Sequence, residues 1–78
     1  MTRFLDSHRL GSFSEEQLLK LQNSPVDEFG VKHLNILYNY EANVVYCLLD
    51  APSKEAVEKN HARLNCKCDW TTEVKTTA

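Results

Sequence analysis

Glycine and proline are scarce in this chain: Gly11 and Gly30, Pro25 and Pro52 are the whole supply among 78 residues. So few glycines leave no glycine-rich loop to wrap a phosphate, which excludes nucleotide chemistry of the P-loop or dinucleotide kind. Long apolar runs are missing as well. The longest, Val44–Leu49, falls far short of the roughly 20 residues that span a bilayer. The N-terminal stretch MTRFLDSH has no apolar segment of signal-peptide length. Charge of neither sign dominates, since 9 basic and 11 acidic residues leave a net −2. The basic residues are scattered, so there is no electrostatic footprint for nucleic acid. Cysteine is rare and odd in number, three in all, which argues against a secreted disulfide framework. A reducing, cytoplasmic setting fits better, with the thiols serving as core filler, ligands or redox groups.

What is present reads as short alternating elements. Thr2–His8 is a first strand, with Phe4, Asp6 and His8 on one face and Arg3, Leu5 and Ser7 on the other. Ser14 and Gln17 form a Ser-x-x-Gln capping box ahead of Leu18, Leu19 and Leu21, predicting a helix over residues 15–23 that ends before Ser24-Pro25. Val31–Tyr40 alternates Leu34, Ile36 and Tyr38 against His33, Asn35 and Leu37. A short turn, Glu41-Ala42-Asn43, leads into Val44–Asp50, which is apolar on both faces, as a central strand would be. Ser53 caps a second helix carrying Val57, His61 and Leu64, and Asn65–Asp69 turns into a last strand over 70–76.

The order β-α-β-β-α-β, with right-handed crossovers, gives an α+β, ferredoxin-like fold. Residues 1–78 form one such domain, a four-stranded antiparallel sheet of order 4-1-3-2 with both helices on one face. A chain this small buries only about 60% of its unfolded surface. The uncovered sheet face therefore predicts a homodimer. The topology also sorts the chemistry. The end of strand one, the end of helix two and the turn into strand four share one edge, which brings His8, His61, Cys66 and Cys68 together, with Asp6 beside His8. Imidazole with thiolate suits zinc, nickel or copper, whereas magnesium and calcium want oxygens. Asp6 shares a strand face with His8 and serves as ligand or orienting partner. Cys47 reads as a small core hydrophobe. His33 falls at the opposite edge and reads as exposed or as an interface residue.

The segments FLDSH, EEQL…FGVKHLNILYN and YCLLDAPSKEAV…H…EV resemble a family of small ferredoxin-like nickel-binding proteins, usually labelled a domain of unknown function. The likeness runs from Phe4 to Val74. It implies a homodimer that binds nickel, with Asp6, His8 and His61 at the metal. The chain departs from the family pattern at Asn65-Cys66-Lys67-Cys68 and has Arg9 where a second histidine would follow His8. Added thiols extend the candidates from nickel to zinc and copper.

Three functions compete on these residues. The first is a cytoplasmic, nickel-like metal-binding protein using Asp6, His8, His61, Cys66 and Cys68, with metal affinity falling as pH drops through about 6.5. The second is a metal-free structural or regulatory dimer. The third is a small dimeric enzyme with Asp6, His8 and Tyr46 lining a cavity between sheet and helices, a reading that rests on fold analogy.

Overall fold

The computed structural model describes residues 2–63 and 68–77. Its elements are β1 (Thr2–Arg9), α1 (Glu15–Gln22), β2 (Lys32–Asn39), β3 (Val44–Ala51), α2 (Lys54–Arg63) and β4 (Cys68–Glu73). The strands form one sheet in the order β2-β3-β1-β4, each neighbour antiparallel. This is the expected ferredoxin-like arrangement, α+β with order 4-1-3-2 read from the other edge.

The helices begin where the chain supplies caps. Ser14 Oγ accepts from the Gln17 amide at 3.2 Å and Gln17 Oε1 accepts from the Ser14 amide at 2.8 Å, so two amides at the start of α1 are satisfied reciprocally. Ser53 Oγ takes the Ala56 amide at 3.2 Å and opens α2. The turn between β2 and β3 bends through Asn43, whose φ of 53° lies in the left-handed region that asparagine tolerates. Gly30 (φ 83°) is required twice over. A Cβ there would meet the Pro52 ring at 3.2 Å, where the start of β2 passes the corner into α2.

Directly opposed residues of antiparallel strands share a face, so the registers Phe4↔Leu49, Asp6↔Cys47 and His8↔Val45 place these six together. That face is covered by the helices. Phe4, Val45, Cys47, Leu49 and Ala51 pack with Leu18 of α1, Ala56 and Val57 of α2, and Leu10 and Val31. The other face is bare. The row Leu37, Tyr46, Ser7, Trp70 crosses it, and Leu37 and Trp70 are 51% and 45% exposed.

Two bulges depart from simple alternation. In β2, His33 opposes Leu49 while Asn35 opposes Leu48, so Leu34 is an extra residue. It turns His33 onto the covered face with Ile36 and Tyr38. The expected exposure of His33 is thereby corrected: the ring is buried. In β4, Trp70 opposes Ser7 but Cys68 opposes His8, which leaves Asp69 as the extra residue. The last strand therefore starts at Cys68, earlier than the expected 70–76, and ends at Glu73.

Candidate metal centre

Asp6 is the middle of the site. It sits on β1, one of the two central strands, with no exposed surface at all. Its carboxylate Oδ2 lies 3.0 Å from His61 Nε2, and Oδ1 lies 3.9 Å from His8 Nε2. The Oδ2 contact is a hydrogen bond when His61 carries a proton on Nε2, whereas Oδ1 has no hydrogen-bond partner among the described residues. A buried carboxylate is costly unless a cation neutralises it.

The two imidazoles are held alike. A backbone carbonyl only accepts, so His61 Nδ1–H donates to Val57 O at 2.8 Å and His8 Nδ1–H donates to Arg9 O at 3.2 Å. Both Nε2 atoms are thereby turned toward Asp6, in the manner of histidines whose second nitrogen is oriented for a ligand role. The rings meet edge to face at 5.5 Å.

Each histidine has a cysteine. Cys47 Sγ approaches His8 Nε2 at 3.6 Å, and Cys68 hydrogen-bonds His61. Two donor groups result, Asp6–His8–Cys47 and Asp6–His61–Cys68, the ligand atoms of each within 4.8 Å of one another.

The charge on His61 follows from its surroundings. Burial works against the imidazolium, but the hydrogen bonds to Asp6 and Cys68 and the electrostatic pull of these two groups outweigh it and push His61 up to about 10. Without metal, the cation that Asp6 needs is therefore a proton on His61. His33 has no such support. Burial dominates and lowers it to about 4, against the raising pull of Asp6.

A second carboxylate fixes the helix that carries His61. Asp27 Oδ1 accepts the Phe29 and Val31 amides at 2.9 Å each, and Oδ2 accepts Asn60 Nδ2 at 2.6 Å with Arg63 at 3.6 Å. Partial burial opposes its charge, yet these donors hold its carboxyl below the usual range. Asn60 precedes His61, so the Asp27 loop pins α2 one residue from the site.

Of the residues expected at the metal, the fold brings together Asp6, His8, His61 and Cys68; Cys66 lies outside the described residues. Cys68 joins them from β4 itself rather than from a turn, because the Asp69 bulge rotates it to the covered face. Cys47 is in the core, as its sequence position predicts, and its Sγ also lies within the Asp6–His8 donor group. The signal for this was available: it alternates with Val45 and Leu49, and the β1–β3 register sets it opposite Asp6. Tyr46 goes the other way. It opposes Ser7 on the bare face, on the far side of the sheet from Asp6 and His8, so the proposed acid–base trio does not share a cavity.

A model for the family described as "Nickel responsive protein SCO4226-like" matches residues 4–74. The chain belongs to this nickel-responsive family. Its fold is also similar to the crystal structure of SCO4226 from Streptomyces coelicolor A3(2), at 28% identity and a TM-score of 0.79, covering 97% of this chain and 99% of that one. No curated protein matches the chain. The match to the SCO4226-like family spans β1 through β4, and so includes every donor described above. No described helix is long and apolar enough to cross a membrane.

Proposed function

We propose that this protein binds a nickel-class transition-metal ion at Asp6, with His8, His61, Cys47 and Cys68 as the surrounding donors. The observation that carries the reading is the Asp6 carboxylate, fully buried between two Nε2 atoms whose opposite nitrogens are already tied to backbone carbonyls, with Oδ1 lacking a hydrogen-bond partner among the described residues. Nitrogen and sulfur donors beside one carboxylate suit nickel, zinc or copper. Membership of a nickel-responsive family makes nickel the first candidate. The working form is a cytoplasmic homodimer joined through the bare sheet face, a reading supported by Leu37, Tyr46 and Trp70 standing exposed there. Neither partner recognition by nucleic acid nor membrane attachment is part of it.

Titration calorimetry with Ni²⁺ on chelator-treated, untagged protein, beside elemental analysis of protein purified without chelator, tests the proposal. Asp6→Asn keeps the shape of the side chain and removes its charge. Affinity should drop by at least the ~10–100-fold that losing a ligand's supporting partner costs. Wild-type protein that takes up neither nickel, zinc nor copper would leave the metal-free dimer as the better account.

A further inference from the structure

The two donor groups differ in access. A cleft of about 400 Å³ opens between α2 and β4, and of the five donors only His61 and Cys68 line it. Lys54, Glu58, Asp69 and Trp70 are among the other residues that line it. Cys68 is half-buried, whereas His8 is nearly and Cys47 fully enclosed under the helices. Asp6 belongs to both groups, with Oδ2 toward His61 and Oδ1 toward His8. The metal-ligating side chains thus form a short line from the cleft floor to the interior, with a carboxylate in the middle.

Resting on the metal-binding reading above, we propose that the centre loads in two steps: an incoming ion is captured by His61 and Cys68 at the floor of the cleft, then passed by way of Asp6 to His8 and Cys47. Moving a bare divalent ion into a dry interior is prohibitive, because an unpaired charge there costs far more than any single ligand returns. Exchange around a shared carboxylate avoids that state. Asp6 holds the ion throughout while imidazole and thiolate at the outer end are replaced by imidazole and thiolate at the inner end. The donor types match at both ends, so the ion keeps a like set of partners on the way in. The acidic side chains Glu58 and Asp69 at the cleft favour a cation over an anion as the arriving species.

The chain carries its own reporters. Trp70 is the single tryptophan and lines the cleft. A paramagnetic ion at Cys68 quenches its fluorescence, while thiolate-to-metal absorption reports both Cys68 and Cys47 in the Cys66→Ser background and Cys47 alone once Cys68 is replaced as well. The experiment mixes metal-free full-length protein with Ni²⁺ in a stopped-flow instrument, in a Cys66→Ser background. Trp70 quenching should precede the final near-ultraviolet absorption. Cys47→Ser should keep the quenching phase and lose the later one. Cys68→Ser should lose the early phase and reach the Cys47 band slowly, and Cys68→His should restore early quenching by returning a donor to the cleft. One concerted phase in the wild-type protein, or Cys68→Ser loading at the wild-type rate, overturns the two-step order while leaving metal binding intact. Absence of nickel uptake at equilibrium removes the metal-binding reading itself, so the two failures are told apart.

Discussion

His33 and His61 are the same residue type on the same covered side of the sheet, and their surroundings drive them in opposite directions. His33, lowered to about 4 by burial, stays neutral in the fold but gains a proton below about 6.5 when the chain unfolds. The unfolded state then binds the extra proton, so the stability tied to His33 is present above pH 6.5 and is lost as pH falls toward 4. Its full size is about 3 kcal/mol. His61, at about 10 in the fold, has the reverse linkage. Its contribution is complete below 6.5 and is lost as pH rises through 10. Metal-free protein should therefore be most stable near pH 6.5, and denaturant midpoints at pH 4.5, 6.5 and 9 check this. A flat profile would show that neither ring is held as described. The same proton on His61 widens the pH range over which metal affinity is expected to change, beyond the fall through about 6.5. A competing ion must displace that proton, so affinity should go on rising above neutrality.

At the level of elements, the caps were legible and the bulges were not. Ser14, Gln17 and Ser53 announce their helices because a hydroxyl or amide three residues from an orphan amide is a local arrangement. Replacing Ser14 by alanine should cost about 1 kcal/mol in denaturant unfolding. Nickel affinity should be unchanged, since α1 supplies no donor. The bulges at Leu34 and Asp69 have no local marker. Each depends on how a neighbouring strand pairs, and each reverses the face of the residues beyond it. In β4 this has a testable consequence. Deleting Asp69 would turn Cys68↔His8 and Trp70↔Ser7 into consecutive pairs without changing either face. Such a deletion should retain metal binding measured by calorimetry. Loss of binding with the fold intact by circular dichroism would mean that Asp69 positions Cys68 in some other way.

For the whole molecule, the proposed dimer rests on the bare face. Leu37, Tyr46 and Trp70 stand exposed in one row, and a small chain has reason to cover them. Sedimentation at micromolar concentration should give twice the 9.0 kDa chain mass, and Leu37→Lys should return the monomer. Leu37 is remote from Asp6 on the opposite face, so nickel affinity should survive in that variant. Element order, sheet order and the convergence of Asp6, His8, His61 and Cys68 on one end could all be derived from the amino acids alone. Alternation, capping and crossover handedness act over a few residues or obey general rules. The entry of Cys47 into the site, the burial of His33 and the separation of Tyr46 from Asp6 depended on strand register. Register is a long-range pairing, and a single extra residue shifts it; only the folded sheet decides which side chains finally face one another.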